Sequence, residues 1–374
     1  MKSVIGKTLA TIVTIGVAAI LLMDQVKSDP GDEAATLDQY DIIFYGSSTR
    51  SSPNIIMRLD NNAEILLACV SGRTQEGLKE AGFRFTESQL TLLEEWGLLE
   101  SDEDVLKTAF PVIDLEKAKI LRAETKEHGY QLGHKIHKDL KALKEKLQPK
   151  KRLLNHYTIL FSYVIDGLVW DLFEEKGLLG LKDITVENPF WTGMLWVIYP
   201  PRQFSCGTNT ISHEDISLKI NWSEATLPKM KALHSRKNIE AFLNDYVDRG
   251  KIRNQDVIDA YVPLNILDRS GRITVPVIVE KRGDPLYEIC LSISRNVVDY
   301  VMQEIDLTGM KHRLGLRDEG QALLIVYHEL MWDMMDYLEA QGLTRKPNAF
   351  ASPDRAQPKD IGDLVFIVDH ARRR

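Results

Sequence analysis

Histidine and glutamate stand side by side at His328 and Glu329, in an apolar segment that is predicted to be helical. Metal-assisted hydrolysis from a helix needs two histidines one turn apart on the same face, with the glutamate as general base. Trp332 occupies the position of the second histidine, and Asp333 lies one residue off that face. We therefore expect a helix of the protein core at this position.

Two more histidines, His134 and His137, lie on a second predicted helix, Glu116–Leu147. Their spacing could hold a metal ion, but no third ligand of a suitable type is nearby. The sequence contains no glycine-rich phosphate loop and no nucleophile-elbow motif, and no triad can be assigned from sequence alone. We expect no catalytic residues, no metal and no cofactor.

The elements that would position a site are most clearly marked in the first half. Thr86 and Gln89 have the spacing of a capping box, and apolar residues at helical spacing follow. Gly97 is a typical helix stop. Val105–Ile113 is predicted as one strand, because Pro111 excludes a helix there, and the long amphipathic helix comes next.

This order of helix, glycine stop, hairpin-like strand and long helix resembles the winged helix-turn-helix superfamily. The resemblance implies a three-helix unit followed by a wing, an arrangement that serves both DNA recognition and protein interaction. A second copy is indicated because Val-Pro-Val-Ile at 275–278 matches Phe-Pro-Val-Ile at 110–113, an offset of 165 residues. Each half also has an apolar core helix, at Tyr157–Leu179 and at Leu323–Leu338.

The predicted fold class is therefore α+β and mostly α-helical, with tandem winged-helix-like units that each carry a long amphipathic helix and small β elements. The first half spans residues 38–205 and the second spans residues 206–374. Each half is predicted to end in an apolar strand, at Phe190–Tyr199 and Leu364–Val368. The polar segment Gln203–Ser212 is predicted to be a loop.

The second unit is the better candidate for contact with an anionic partner. A helix that reads DNA needs Arg, Lys, Asn or Gln in its first turns, and its wing needs basic residues to contact phosphate. The second unit supplies Lys251, Arg253, Asn254 and Gln255 at a helix start and Arg269 and Arg272 at a hairpin tip. The first unit is acidic at these places, with Glu87, Glu94, Glu95, Glu100, Asp102, Glu103 and Asp104.

The long helix of the first half is a second candidate surface. Between Lys117 and Arg152 there are twelve Lys or Arg residues against four Asp or Glu residues. Lys135 and Lys138 represent this basic face, which either is simply solvated or contacts an anionic partner.

Composition limits the class of protein. At 374 residues, 44% hydrophobic and 27% charged, the chain has an ordinary globular composition with room for two or three domains. Its net charge of −7 argues against nucleic-acid binding by the whole surface but leaves local basic patches possible. Three cysteines without CxxC spacing exclude a disulfide framework.

Residues 1–27 have the zones of a membrane-targeting segment. Lys2 and Lys7 precede the uncharged run Thr8–Met23, and Asp24 follows it. The run would span about 24 Å as a helix, which is short for a hydrocarbon core of about 30 Å. Extension of the Lys7 side chain towards the membrane surface lengthens the inserted segment to residues 4–23.

The flanks of this segment favour an uncleaved signal anchor over a cleaved signal peptide, because no small-residue cleavage site and no lipid-accepting cysteine follow it. Basic residues before it and acidic residues after it place the N-terminus inside and the body outside the cytoplasm. Residues 28–37 form a polar linker. A buried helix of a cytoplasmic protein is the alternative.

These features predict a membrane-anchored, extracytoplasmic binding or scaffold protein without a catalytic role, which binds a protein partner or an anionic surface. A winged-helix DNA-binding regulator is the first alternative, and it requires a cytoplasmic body. A metal-dependent hydrolase that uses His328 and Glu329 is the second alternative.

Residues 1–27 are expected to hold the protein in the membrane fraction. After alkaline carbonate extraction the full chain should stay in the membrane pellet, because a hydrophobic anchor is not released by high pH. A chain that begins at Ser28 is the control and should be soluble. Recovery of the intact full chain in the supernatant would contradict the anchor.

Overall fold

A computed structural model of the chain describes residues 36–48, 52–148, 152, 154–179, 189–202, 206–223, 225–352 and 355–370. Helices dominate and the strands form small sheets, which confirms a mostly helical α+β fold. The predicted anchor at residues 1–27 and most of the linker lie outside the described residues. Within the described ranges, no helix is both long enough and apolar enough to cross a membrane.

The first half opens with a 3-10 turn at Leu37–Gln39. Its first elements are β1 (Asp41–Tyr45), α1 (Pro53–Met57), α2 (Asn62–Ala68), β2 (Arg73–Thr74), α3 (Gln75–Glu80), α4 (Glu87–Glu95), β3 (Leu99–Asp102) and β4 (Val105–Thr108). They are followed by β5 (Val112–Ile113), α5 (Leu115–Leu147), α6 (Asn155–Thr158), a π-helical segment (Ile159–Leu168), α7 (Val169–Glu175) and β6 (Met194–Ile198).

The second half opens with a β-hairpin and ends with a strand. Its first elements are β7 (Cys206–His213), β8 (Ile216–Ser223), a 3-10 segment (Leu227–His234), α8 (Arg236–Arg249), α9 (Gln255–Tyr261) and β9 (Val277–Val279). They are followed by α10 (Pro285–Glu304), α11 (Leu307–Leu314), α12 (Glu319–Ala340), α13 (Asn348–Ala351), a 3-10 segment (Pro358–Leu364) and β10 (Val365–Asp369).

The prediction of one strand over Val105–Ile113 was wrong. β4 pairs with β3 and β2 in a small antiparallel sheet, whereas β5 belongs to another sheet with β6 and β1. Pro111, which lacks an N–H for a ladder, stands between the two strands. The acidic segment that precedes Val105 therefore forms β3 and the tip of a hairpin.

Two further segments were also predicted wrongly. Gln203–Ser212 contains most of β7 instead of a loop, and β1 is a strand that no prediction from the sequence included. Both strands lie at sheet edges and are only partly buried, so neither shows a strong alternation of apolar and polar residues.

The two larger sheets share a pairing pattern. In the order β1-β6-β5, β6 pairs parallel to β5 and antiparallel to β1. In the order β7-β8-β10-β9, β10 pairs parallel to β9 and antiparallel to β8. The two prolines also correspond, since the N–H of Val197 donates to Pro111 O (3.1 Å) and that of Ile367 donates to Pro276 O (3.0 Å).

The hairpins before these prolines correspond as well. The N–H of Ala109 donates to Leu98 O at 3.0 Å, and the N–H of Thr274 donates to Ile266 O at 2.9 Å. Leu98 and Ile266 each donate to the end of the preceding helix, at 2.9 Å and 3.2 Å. This is the relation between the halves that an internal duplication requires.

The predicted core helix Tyr157–Leu179 is not one regular helix. It runs through α6, the π-helical segment and α7, with non-helical angles at Asp166 (φ −95°, ψ 20°). The indole N–H of Trp170 donates to Asp166 Oδ1 at 3.1 Å. Burial raises the pKa of Asp166 to about 6, although the Trp170 bond lowers it. π-helical geometry is rare and cannot be recognised from apolar spacing.

The core helices of the two halves pack directly on each other. The ring centroids of Phe161 and Trp332 are 5.2 Å apart, and those of Trp170 and Tyr327 are 4.6 Å apart. The Tyr327 hydroxyl donates to Ile165 O at 2.7 Å. The larger hydrophobic core therefore draws residues from both halves, while a smaller core lies under α2, α4 and the β2-β4-β3 sheet.

α5 crosses α12 very closely because it carries two glycines at the contact. A Cβ at Gly129 would lie 2.9 Å from backbone atoms of Asp333 and Met334. A Cβ at Gly133 would lie 2.4 Å from the ring of Tyr337. The two helices are thus closer at Gly129 than any larger residue allows.

Gly129→Ala should lower the free energy of unfolding by about 1–3 kcal/mol, because the methyl group meets backbone that cannot move aside. Gly133→Ala is the matched comparison and should cost less, since the Tyr337 ring is a side chain that can turn away. Urea unfolding followed by circular dichroism measures both. Equal stability of wild type and Gly129→Ala would contradict the close crossing.

Candidate functional site

The frame of the candidate site is the junction between the α8–α9 connection and the hairpin around Gly271. The N–H of Ile252 donates to Gly271 O at 3.0 Å, and Leu267 bridges Ile273 across the hairpin. Gly271 has φ +77°, and a Cβ there would lie 1.9 Å from Ile252 O. Only glycine permits this approach, which brings residues 251–253 beside the hairpin tip.

Two carboxylates hold the backbone of this junction. Asp245 Oδ2 accepts the N–H groups of Arg253 (2.7 Å) and Asn254 (2.8 Å). Asp268 Oδ1 accepts the N–H groups of Ser270 (2.8 Å) and Arg272 (3.1 Å). The bond from the Arg253 N–H lowers the pKa of Asp245, and the Ser270 hydroxyl bond lowers that of Asp268. Both carboxylates are therefore ionised and bound to backbone.

The result is a cluster of exposed cations, which we call the basic hairpin surface. It consists of Arg249, Lys251, Arg253, Arg269 and Arg272, and all five residues are exposed. Within the described ranges, none of them forms an ion pair with a carboxylate side chain. The three arginines and Lys251 that were predicted from sequence thus lie around one junction, and Arg249 is an addition.

The other two predicted residues of this unit have local roles. Asn254 caps α9, since its Oδ1 accepts the N–H of Val257 at 3.3 Å. Gln255 Nε2 donates to Asp259 Oδ1 at 2.8 Å. Asp256 and Asp259 are exposed on α9. This helix therefore presents carboxylates where a DNA-reading helix would present donors to base edges.

Lys135 and Lys138 lie on α5, which belongs to the first half of the chain. The basic hairpin surface belongs to the second half. Both lysines are exposed, and Lys135 Nζ lies 5.5 Å from the centroid of the Tyr300 ring in a cation–π contact. The neighbouring Asp139 accepts bonds from Ser292 (2.9 Å) and Asn296 (3.1 Å) of α10. This part of α5 thus also serves packing between helices.

The corresponding hairpin of the first half has the opposite charge. Asp102, Glu103 and Asp104 are exposed at the turn between β3 and β4. Glu100 forms an ion pair with Arg317 at 2.7 Å. The two hairpins therefore present opposite electrostatic potentials to solvent.

Glu329 lies at the centre of a buried ion network. Its side chain is 1% exposed, and its Oε2 lies 2.7 Å from Arg122 Nε and 3.0 Å from Arg202 Nη2. Arg202 also contacts Asp333 at 3.1 Å, and the Thr125 hydroxyl donates to Asp333 Oδ2 at 2.6 Å. Sequence reasoning missed Arg202, because nothing near residue 202 indicates a partner more than a hundred residues away.

This network explains the adjacent histidine and glutamate without a metal. Burial raises the pKa of Glu329, but His328 and the charges of Arg202 and Arg122 outweigh burial and lower it to about 2. His328 packs edge-on against Trp196, with centroids 5.4 Å apart. His134 Nε2 contacts the Tyr337 hydroxyl at 2.8 Å. In the described part of the chain, no group of three or more His, Cys, Asp or Glu residues is placed to hold a metal ion.

Several buried nitrogens around Glu329 lack hydrogen-bond partners. They are Nη2 of Arg122 and Nδ1 of His328, and Nε1 of the neighbouring Trp196 is a third. His328 Nδ1 lies 3.4 Å from Glu329 Oε1 without forming a hydrogen bond. Each such group costs about 1–3 kcal/mol unless water satisfies it. The network is therefore held by the strong charge contacts of Glu329 and not by complete hydrogen bonding.

Glu329→Gln should destabilise the protein by about 3–5 kcal/mol near neutral pH, because it leaves Arg122 without a carboxylate and removes one of the carboxylates that contact Arg202. The exposed Glu319→Gln on the same helix is the control and should stay within about 0.5 kcal/mol of wild type. The depressed pKa of Glu329 stabilises the fold fully above about pH 4.5, and this stabilisation is lost as pH falls towards 2.

The same variants test the hydrolase alternative. Glu329→Gln and His328→Ala should leave the metal content of the purified protein unchanged when it is measured by mass spectrometry. Stoichiometric zinc that disappears in either variant would overturn the structural role of this helix.

A comparison of the chain with family models, with curated proteins and with solved structures found no match. The resemblance to winged helices therefore stays a hypothesis based on the order of elements. Function has to be inferred from the geometry of the chain's own residues.

Proposed function

We propose that the chain is a membrane-tethered binding protein, held through residues 4–23 with its body outside the cytoplasm, whose basic hairpin surface contacts a phosphate-bearing surface. The observation that carries this proposal is the Ile252–Gly271 contact. It gathers five exposed cations while the nearby carboxylates of Asp245 and Asp268 bond to backbone N–H groups. A guanidinium group can donate two hydrogen bonds to the oxygens of one phosphate, so the four arginines of this surface suit a phosphate-bearing partner.

The order of elements supports a winged-helix-like unit in each half. The first unit has α2, β2, α3 and α4, followed by the β3–β4 hairpin in the sheet order β2-β4-β3. The second unit has α8, α9 and the bridged hairpin at Leu267–Ile273. We propose that the hairpin tips are wings, and that only the second wing contacts an anionic partner because the first is acidic.

A phosphate-bearing surface is favoured over duplex DNA by the residues of α9. DNA recognition places a helix in the major groove, where Asp256 and Asp259 would face phosphates and base acceptors. A flat anionic surface needs only the hairpin and the adjacent residues 249–253. A lipid headgroup is the form of phosphate that a membrane tether brings within reach of this surface.

Replacement of Arg253, Arg269 and Arg272 together by Gln should weaken binding to vesicles of equal parts phosphatidylglycerol and phosphatidylcholine. We expect about a hundredfold loss, since each basic residue near such a surface contributes about 1 kcal/mol. The measurement uses the chain that begins at Ser28, so that the anchor does not insert, and follows co-sedimentation at several salt concentrations.

The matched control replaces Lys79, Arg84 and Lys107 by Gln, which removes the same charge from exposed positions of the first unit. This variant should bind like wild type. Equal binding by both triple variants would contradict the basic hairpin surface. Tighter binding to duplex DNA than to the vesicles, with a sequence preference, would support the regulator instead.

A further inference from the structure

Three polar residues lie at the same end of the strands in the four-stranded sheet. β9 and β10 are parallel, so their carboxyl ends lie side by side. β8 runs antiparallel to β10, so β8 begins at this same end of the sheet. Ser217 is the second residue of β8, while Glu280 and His370 directly follow β9 and β10. Backbone hydrogen bonds hold these strand ends together, since the N–H of Glu280 donates to Asp369 O at 2.7 Å and that of His370 donates to Asp215 O at 2.8 Å.

The side chains of these residues form a continuous chain of contacts. Ser217 Oγ lies 2.7 Å from His370 Nε2, and His370 Nδ1 lies 2.7 Å from Glu280 Oε2. A serine bonded to one ring nitrogen and a carboxylate bonded to the other is the arrangement in which histidine removes the hydroxyl proton. With the proton of His370 on Nδ1, Ser217 donates to Nε2 and Nδ1–H donates to Glu280.

Glu280 is held in its ionised form. The Tyr163 hydroxyl donates to Glu280 Oε1 at 2.8 Å, from the π-helical segment of the first half. Burial raises the pKa of Glu280, but the bonds from His370 and Tyr163 and the charge of His370 together bring it below its usual value. The carboxylate therefore orients the imidazole and stabilises its charged form.

The same face of the sheet carries an ammonium group and a second serine. Lys219 lies two residues after Ser217 on β8, and its side chain is partly buried. Burial lowers the pKa of Lys219, although Asp171, Asp166 and Glu280 raise it. Within the described residues the Lys219 side chain forms no ion pair and no hydrogen bond, so these carboxylates act on its ammonium group only at longer range.

Access to the serine is from the edge strand β7. Ser217 is 2% exposed, whereas the side chain of His370 is 40% exposed. Ser212 of β7 is exposed and its Oγ lies 2.8 Å from Ser217 Oγ, opposite it in the β7–β8 register. The exposed Ser212 side chain therefore lies between the Ser217 hydroxyl and solvent on the side of β7.

We propose that Ser217 is the nucleophile of an acyl-transfer site that hydrolyses carboxylic esters, with His370 as general base and Glu280 as its positioning residue. Ser217 Oγ bonds to the carbonyl carbon while its proton passes to His370 Nε2. Lys219 stabilises the negative charge that develops on the carbonyl oxygen. The C–O bond to the leaving alcohol breaks as that oxygen takes the proton back from Nε2. Water then repeats the sequence on the acyl-serine, releasing the acid and restoring Ser217.

This activity goes beyond the proposed binding function and shares no residue with the basic hairpin surface. Failure of either proposal therefore leaves the other standing. The binding surface and the acyl-transfer site are in the same chain, so binding to a phosphate-bearing surface would keep the acyl-transfer site close to that surface.

The direct test is labelling of the full chain in detergent with an alkyl fluorophosphonate, which reacts with activated serines and releases fluoride. Peptide mapping by mass spectrometry should place the adduct on Ser217 in the wild-type protein. This result does not depend on the folding of any variant. An adduct on Ser212 alone, or no adduct at all, would overturn the assignment.

Single substitutions then distinguish the role of Ser217 from that of Glu280. Ser217→Ala should reduce hydrolysis of p-nitrophenyl acetate at least about a hundredfold, whereas the exposed control Ser88→Ala should hydrolyse it at the wild-type rate. Glu280→Gln should lower the rate and also move the acid side of the pH–rate profile to lower pH, because the imidazolium loses its carboxylate. A uniform loss of rate with an unchanged profile would refute the positioning role of Glu280.

Discussion

The close crossing of α5 and α12 is the constraint on which the other contacts depend. α5 belongs to the first half and α12 to the second, and they meet at Gly129, where there is room for no side chain. α10 of the second half packs in turn on the π-helical segment and α7 of the first. Each half therefore supplies helices that cover the larger core, which neither half completes alone, whereas the smaller core belongs to the first half.

The ion network of Glu329 lies beside this crossing and depends on it. Glu329 and Asp333 come from α12, Arg122 and Thr125 come from α5, and Arg202 follows β6. Desolvation of so many charges is expensive, and only close contacts offset it. The network therefore fixes the relative position of the two helices and of the segment after β6, and we infer that its role is specificity of packing.

Much of the fold could be predicted because helix periodicity is a local property. The long amphipathic helices, the cap at Asn254 and the hairpin around Asp268–Arg272 follow from spacing, capping residues and glycine. The strand split by Pro111 and the π-helical segment could not be predicted. A two-residue strand such as β5 is too short to show an alternation of apolar and polar residues. The spacing of apolar residues also does not reveal whether a helix has the hydrogen bonds of an α-helix or those of a π-helix.

The sites differ in how far the sequence could indicate them. The arginines of the basic hairpin surface were visible as charges at a helix start and a turn. Arg202 and the contact of Ser217 with His370 and Glu280 were not, since these residues are distant in sequence and meet only through sheet order. Asn254 and Gln255 illustrate the reverse error, because residue types that suit recognition also suit local capping.

The position of β10 within its sheet has a consequence for how the molecule is made. β10 lies between β8 and β9, and β6 likewise lies between β1 and β5, although each is the last strand of its half to be synthesised among the described residues. During synthesis the strands on either side of the central strand have unpaired backbone N–H and C=O groups until the central strand is made. Sheet formation therefore depends on contacts distant in sequence, which slows folding and makes it cooperative across the whole chain. A nascent chain that ends before Val365 therefore lacks the strand that joins β8 to β9, and both strands keep an unpaired edge until β10 is made.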